Sequence, residues 1–353
     1  MANGNKVLVL GATGGIGGEV ARQLRDRGWD VRALRRSGPQ ATPAQHDGIT
    51  WIRGDAMHRA DVLAAASGCD VIVHAVNPPG YRRWGELVLP MVDNTIAAAQ
   101  ANGATVVLPG TVYNYGPDAF PLLHEDSPQH PHTRKGAVRV ELERRLQQAT
   151  VAHPLQGSCR VIIVRAGDFF GPTAGNSWFS QGLVKPGRPV AVVHTPGAPG
   201  AGHQWAYLPD VACTMVQLLE RRSTLPAFVS FHMAGHWDAD GTEMARAIGR
   251  VVVRSGGTAP QVKAFPWWLV ALASPVVATL RELREMRYLW QYPVRMPGHR
   301  LSALLGQEPH TPLDQAVQAT LEGLCCVKKT GTDRLGAVLT EPNAPQSPGQ
   351  LPA

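Results

Sequence analysis

Cysteine is scarce in this chain and is not arranged as a scaffold. Five cysteines occur among 353 residues, and none of them form a C-x-x-C pair. Secreted mini-domains need dense cysteine pairs and zinc knuckles need two close pairs, so both classes are excluded. The first strand is predicted to begin at Val7, with no room for a signal peptide before it. We therefore expect reduced thiols, a cytoplasmic location and no metal site.

Long apolar runs are also lacking. The longest, Trp267–Leu280, contains Pro275 and falls short of the roughly 20 apolar residues that a membrane-spanning helix needs. We expect this run to form a helix packed on the core, with a helix lying on a membrane surface as the alternative. No membrane partner is predicted.

The charge distribution lacks a basic tract. The formal net charge is +7, but the arginines are scattered and no basic run is interleaved with aromatic residues. Nucleic-acid binding needs such a concentrated footprint, so no nucleic-acid partner is predicted. A small anionic molecule is the partner class that this charge favours.

The strongest positive signal is the glycine-rich segment Gly11–Gly17. It follows the apolar run Val7–Leu10 and leads into the helix-forming segment Glu19–Arg27. A buried strand, a tight turn and a helix N-terminus together cradle a pyrophosphate, because free backbone N–H groups face the anion. A turn without a ligand is the alternative. The residues predicted to face a cofactor here are Gly11, Thr13, Gly14, Gly15, Ile16 and Gly17.

The remaining pattern alternates apolar strand-like runs with helical segments, which predicts an α/β fold with a doubly wound parallel sheet. We place the dinucleotide-binding Rossmann domain at residues 1–170. A smaller, interleaved substrate-binding part takes most of residues 171–326 and includes Phe228–Ala234. Residues 327–353 are polar and rich in proline and glycine, so we expect a disordered tail.

The glycine spacing identifies a resemblance. Gly11, Gly14 and Gly17 are spaced three residues apart, which resembles the extended and atypical short-chain dehydrogenase/reductases, the superfamily of NAD-dependent epimerases and dehydratases. The resemblance runs from about Lys6 to about Leu324. It implies an enzyme that acts on a hydroxyl or carbonyl of a small polar metabolite, such as a sugar derivative, and a homodimer as the family's usual assembly.

Two arginines at the end of the second predicted strand bear on the choice of cofactor. NAD sites usually place an acidic residue there, whereas this chain continues with Arg35 and Arg36. Guanidinium groups suit a 2′-phosphate, so NADP is favoured and NAD remains possible; solvated surface arginines are the alternative. The resemblance further implies that Asp55 contacts the adenine and that Ala75 and Val76 pass under the cofactor.

The family's active site is only partly present. Thr111 takes the place of the catalytic serine, and counting back from Glu143 puts Lys135 at the tyrosine position and Arg139 at the lysine position. No tyrosine occurs between Tyr115 and Tyr207. The usual acid/base is therefore missing.

Three hypotheses follow from this departure. Lys135 is itself the acid/base, with the like charge of Arg139 one turn away on the same helix face. Alternatively, Tyr113 or Tyr115 supplies the phenol. In the third hypothesis Lys135 and Arg139 only bind an anion, and the chain is a catalytically silent NADP-binding regulatory or interaction protein.

Later segments resemble the part of the family that holds the substrate. Asn176 and Trp178 follow a Gly-Pro turn at residues 171–172, and His203 and Trp205 belong to a segment that resembles the late F-V-Y-V-D-D-V-A motif. We predict that these four residues contact the substrate, with ordinary loop packing as the alternative.

Overall fold

A computed structural model describes residues 5–37, 44–78, 83–151, 157–175, 177–275 and 277–329. The strands in these ranges are β1 Lys6–Leu10, β2 Asp30–Arg35, β3 Ala44–His46, β4 Ile49–Arg53, β5 Val71–His74, β6 Thr105–Gly110, β7 Arg160–Arg165, β8 Asp168–Phe170, β9 Val192–Thr195, β10 His203–Tyr207, β11 Phe228–His232, β12 His236–Asp238 and β13 Gln261–Ala264. The α-helices are α1 Gly15–Asp26, α2 Arg59–Ala66, α3 Trp84–Asn102, α4 Arg134–Ala149, α5 Leu208–Glu220, α6 Glu243–Arg254, α7 Trp267–Ala273, α8 Ala278–Glu285, α9 His299–Leu305 and α10 Leu313–Gly323.

Eight strands form the main sheet, in the order β11-β7-β6-β5-β1-β2-β4-β3. All neighbouring pairs are parallel except β3 with β4. The central strands are apolar without interruption, and Val7, Leu8 and Val9 are completely buried. A parallel sheet covered on both faces requires this pattern, because residues that point to either side meet a helix.

Helices cover both faces of this sheet. On one face, Val20 and Leu24 of α1 share a core with Met215 and Leu219 of α5. On the other face, α2, α3 and α4 contribute to a second core, to which Val92 of α3 belongs. The predicted doubly wound Rossmann architecture is confirmed.

The order in which strands are added to the sheet reverses at β1. This strand pairs with β2 on one side and with β5 on the other, with Val7 opposite both Val31 and Val71. In open α/β sheets the crevice at such a switch point, beyond the carboxyl ends of the strands, is the usual ligand site. The segments after Leu10 and His74 therefore border the candidate site.

The smaller part contains a three-stranded sheet in the order β12-β10-β8 and the two-stranded pair β13-β9. Its core gathers Phe170, Phe179, Trp205, Met244 and Val317. The two parts exchange segments, because β11 pairs with β7 in the main sheet. The structure therefore places Phe228–His232 in the main sheet and not in the smaller part that the sequence suggested.

Most of the predicted tail, from residue 330 onward, lies outside the described residues. Within the described ranges, no helix combines the length and apolarity required to cross a bilayer.

Candidate functional site

The glycine turn between β1 and α1 leaves no space for side chains. Gly11 has φ +90°, and a Cβ placed on it would lie 2.5 Å from the carbonyl oxygen of Ala75. A Cβ on Gly17 would lie 2.4 Å from the carbonyl oxygen of Gly11. Both glycines are therefore required by close backbone approach, not only by flexibility.

The N-terminus of α1 is open to a ligand. Thr13 and Gly14 are exposed, and the first turn of α1 carries no acidic residue. Gly14 is the N-cap and has no side chain to occupy the helix N–H groups, so these groups and the positive end of the helix dipole can receive an anion. Gly15 and Ile16 begin the helix and are half-buried.

The predicted adenosine side of the site brings basic groups to the ends of β2 and β4. Arg35 is half-buried and its guanidinium lies 5.3 Å from the centre of the Trp51 ring. Arg36 is exposed. Asp55 is half-buried, and its carboxylate accepts a hydrogen bond of 3.0 Å from the backbone N–H of Met57. This arrangement offers cations to a phosphate beside a fixed carboxylate.

The strand end under the predicted cofactor is tied directly to the glycine turn. The Ala75 N–H donates to the carbonyl oxygen of Leu10 at 2.9 Å, and Val76 follows it half-buried. His74, just before them, has its Nδ1 2.8 Å from the Thr95 hydroxyl. Burial, with a smaller contribution from a nearby arginine, lowers the pKa of His74 to about 3. His74 is therefore a neutral, buried core residue.

Thr111 follows β6 and is held by a chain of polar contacts. Its hydroxyl donates to Asn114 Oδ1 at 3.3 Å. Asn114 Nδ2 donates to Gln129 Oε1 at 3.0 Å, and Gln129 Nε2 donates to Glu143 Oε2 at 3.2 Å. A partly buried network whose members are satisfied in this way gives the Thr111 hydroxyl a defined orientation.

A buried ion pair completes that network. Arg165 donates to both carboxylate oxygens of Glu143, at 3.0 and 2.8 Å, and also to the carbonyl oxygen of Thr111. The two side chains are 1% and 7% exposed. Arg165 Nε further donates to His232 Nε2 at 3.3 Å, and burial lowers the pKa of His232 to about 3, which keeps it neutral and able to accept. The sequence marked Glu143 only by its spacing and did not predict this pairing.

Lys135 and Arg139 lie one turn apart at the start of α4. Each is only 4% exposed. The Lys135 ammonium lies 5.9 Å from the centre of the Trp84 ring, and the Arg139 guanidinium lies 5.0 Å from the same centre. Arg139 also donates to Asn77 Oδ1 at 3.0 Å, just beyond β5. Two cations on one helix face thus border the segment that follows β5.

The two candidate phenols differ in their surroundings. Tyr115 is completely buried, with its hydroxyl 3.4 Å from His232 Nε2, and burial raises its pKa. Tyr113 is half-buried in the short turn at residues 112–114, and its carbonyl oxygen would lie 2.1 Å from a Cβ on Gly136. Of the two, Tyr113 is the less enclosed.

Three of the four predicted substrate residues come together in the smaller part. His203 stacks on Trp290 with the rings 3.7 Å apart, and it meets Trp205 edge-on at 4.9 Å. Trp178 lies 5.1 Å from Trp290. His203 Nε2 lies 2.9 Å from Asp168 Oδ2. Trp290 and Asp168 were not predicted from the sequence, and the fourth predicted residue, Asn176, lies outside the described residues.

A narrow cleft, with room for about one water molecule, borders this aromatic group. Trp205 Nε1 and Asp238 Oδ1 are buried beside it and have no hydrogen-bond partner among the described residues. A buried donor and acceptor without partners are costly, so they suit a polar ligand or water. In the described part of the chain, no three histidine, cysteine or acidic side chains are placed to hold a metal ion.

Comparison with protein families matches residues 11–154 to the NAD(P)H-binding family. The chain has an NAD(P)-binding domain. The match begins at the first glycine of the turn and extends past α4, so it includes the open helix N-terminus and the members of the Thr111 network up to Glu143, but not Arg165.

Two curated bacterial relatives and one solved structure are similar to the chain. Protein y4nL of Sinorhizobium fredii is 28% identical over 188 residues, 48% of this chain and 52% of that protein. A 3-diazoavenalumate denitrifying reductase from a Streptomyces species is 29% identical over 184 residues, 48% of this chain and 58% of that protein. The chain thus spans about half the length of the curated relatives it matches.

The solved structure is a UDP-glucose 4-epimerase from Bifidobacterium longum, in complex with NAD⁺ and UDP. It is 15% identical, with a TM-score of 0.68 over 90% of this chain and 98% of that chain. At this identity the likeness shows the fold alone, and it extends beyond the NAD(P)-binding domain into the smaller part.

Proposed function

We propose that this protein is an NAD(P)-dependent oxidoreductase that acts on a hydroxyl or carbonyl group of a small polar molecule. The observation that carries the proposal is the open N-terminus of α1, where the Gly11 backbone closes against Ala75 and leaves helix N–H groups facing the switch-point crevice. The dinucleotide's pyrophosphate fits there, because the backbone donors and the helix dipole favour an anion.

NADP is the cofactor that the adenosine side favours. Arg35 and Arg36 supply two guanidinium groups at the end of β2, where an acidic residue would otherwise select the free ribose hydroxyl. The Arg35 guanidinium packs over the Trp51 ring, and this contact holds it in place for a bidentate contact with phosphate. Asp55 accepts from the adenine amino group in this arrangement.

Thr111, Lys135 and Arg139 bind the reacting oxygen, transfer the proton and hold the nicotinamide ribose, respectively. The Thr111 hydroxyl, which donates to Asn114 Oδ1 in the absence of substrate, rotates its one proton toward the reacting oxygen of the bound substrate and donates to it. Lys135 delivers or removes the proton at that oxygen, and Arg139, fixed by Asn77, holds the nicotinamide ribose. When bound, the nicotinamide supplies or accepts a hydride. Tyr113 is the alternative proton donor.

His203 and Trp205 bind the part of the substrate that does not react, together with Trp178 and Asn176. The His203–Asp168 contact fixes the imidazole, and the stacked Trp290 ring gives one wall of the cleft. The Streptomyces relative is named as a reductase and the Bifidobacterium structure as an epimerase. Both names support nicotinamide chemistry, and they leave open whether the net reaction is reduction or epimerisation.

A titration and a substrate screen test this proposal. NADPH binding is followed by the fluorescence of the bound nicotinamide, and then aldehydes, ketones and nucleotide sugars are screened for a change in nicotinamide absorbance. Lys135→Met is expected to abolish turnover while NADPH still binds. The control, Lys185→Met, removes an exposed lysine and is expected to leave both unchanged. Failure of the wild-type protein to bind either coenzyme would refute the proposal.

A second candidate is a regulatory protein that binds NADP without turning it over. The observation that favours it is the burial of Lys135 and Arg139 against Trp84. These two residues stand where the family has its tyrosine and lysine, and their burial limits the access of a substrate to either cation. Tight NADPH binding without turnover on any class screened, together with a partner that binds one redox form only, would favour this candidate.

A further inference from the structure

One side of helix α7 carries large apolar side chains in contact with solvent. Trp268, Leu269 and Leu272 are 68%, 45% and 74% exposed. Val270, on the other side of the helix, is buried. Single exposed apolar residues are ordinary, but three within two turns of one helix form a patch.

This patch is presented by an anchored helix. Trp267 Nε1 donates to the carbonyl oxygen of Pro196 at 2.8 Å, and its ring lies 5.0 Å from Phe265 and 5.8 Å from Trp178. The same residue is thus fixed on the inner side while its neighbour, Trp268, points to solvent. Presenting the patch therefore costs no further ordering of the chain when it meets a partner.

Arginines lie beside the patch. Arg281, Arg284 and Arg287 are exposed on α8 and the turn after it. Arg284 donates to the Ser274 hydroxyl at 3.3 Å, and the Arg287 guanidinium lies 5.3 Å from the Trp267 ring, which places both next to α7. Among the described residues, none of the three forms an ion pair.

The acidic groups nearby do not cancel this charge. The stretch 277–291 contains three arginines and two glutamates. One of these, Glu285, accepts from the backbone N–H of Arg134 at 2.7 Å. Lys263 on β13 is also exposed, and the whole chain has a formal charge of +7. The surroundings of the patch are thus basic.

We propose that this surface, which we call the α7 face and define as Trp268, Leu269, Leu272, Arg281, Arg284 and Arg287, docks on an anionic lipid bilayer. Tryptophan and leucine partition into the interfacial layer, and arginines beside them contact acidic headgroups. A fluid surface needs no complementary groove, which suits side chains that project from a short helix. The proposed contact lies at the bilayer surface, because α7 is only seven residues long.

Vesicle flotation of the full chain tests the proposal. The wild-type protein is expected to float with phosphatidylcholine vesicles that contain phosphatidylglycerol, and to float less as salt rises. Trp268→Ser with Leu272→Ser should lower the partition coefficient roughly tenfold or more, because little else of the patch remains to enter the lipid. Arg281→Gln with Arg284→Gln should weaken binding to anionic vesicles but not to pure phosphatidylcholine.

Matched variants on other surfaces provide the controls. Val151→Ser with Val253→Ser removes side chains that are 69% and 51% exposed, and Arg59→Gln with Arg221→Gln removes the same charge as the arginine variant. Both controls are expected to bind vesicles as the wild type does. Equal loss in the controls, or no wild-type binding at low salt, would overturn the proposal. So would a dimer in sedimentation equilibrium that the Trp268 and Leu272 changes dissociate without any vesicle binding.

Discussion

The ion pair between Arg165 and Glu143 offers a sharp test of how Thr111 is held. We consider Glu143→Leu, Arg165→Met and the two changes together. Each single change leaves a charged partner in a place where the side chains are 1% and 7% exposed. The double change removes both charges from the same buried space.

The structure allows the size of each effect to be worked out. Removing one member of a buried ion pair costs about 3–5 kcal/mol, because the other charge stays desolvated. The double variant removes both charges from this space, but Gln129, the carbonyl oxygen of Thr111 and His232 Nε2 each lose a partner, at about 1–3 kcal/mol each. The double variant should therefore lose less stability than the sum of the two single variants, with a coupling of about 2 kcal/mol or more.

Urea denaturation of the four proteins, followed by circular dichroism, measures this coupling through the change in free energy of unfolding. NADPH affinity serves as a second readout and should change little in any variant that stays folded, since the pair lies on the Thr111 side of the site. Additive losses in the cycle would show that the two side chains do not act on each other, and the argument for a rigid Thr111 network would be lost.

Three further predictions use other parts of the site. Gly11→Ala should weaken NADPH binding roughly tenfold or more, because its Cβ would lie 2.5 Å from a carbonyl oxygen. The control is Gly28→Ala, where φ is +79° and no atom lies within 4 Å of the added Cβ, and it should leave NADPH affinity unchanged. Equal affinities in the two variants would contradict the close approach at Gly11. Arg35→Ala with Arg36→Ala should weaken NADPH about tenfold or more and NADH little in the same titration; equal weakening would contradict the 2′-phosphate assignment. His74 has a folded pKa of about 3, so between pH ~6.5 and ~3 the unfolded chain binds a proton that the folded chain does not. The free energy of unfolding should therefore fall by about 1.4 kcal/mol for each unit by which the pH is lowered through this window. His74→Asn should reduce the slope measured in urea titrations by that amount, while His232, with a similar folded pKa, keeps its own contribution; an unchanged slope would rule out the His74 linkage.

Local signals in the sequence were sufficient for the NAD(P)-binding domain. The run Val7–Leu10, the glycines after it and the helix from Gly15 act within one short segment, so strand, turn and helix N-terminus can be predicted together. The resemblance to the short-chain dehydrogenase/reductases, with the count back from Glu143, singled out Thr111, Lys135 and Arg139, and their roles stay predictions. The structure places Arg139 beside Asn77, just beyond β5.

The contacts that shape the rest of the candidate site join residues far apart in the chain. Arg165 meets Glu143 across 22 positions, and His203 meets Asp168 across 35. Trp290 reaches His203 from beyond α8. Such pairs depend on how helices and strands dock, which spacing does not encode, so neither the Arg165 network nor the aromatic wall could be predicted.

The sequence by itself determined the parallel α/β architecture and the anion-binding turn, because continuous apolar runs and glycines at close-approach positions impose them locally. Only the tertiary structure decided that Phe228–His232 completes the main sheet, that Lys135 and Arg139 are enclosed against Trp84, and that α7 exposes Trp268. These outcomes depend on which surface buries each segment, and that surface is formed by elements distant in the chain, so it depends on the packing of the whole protein.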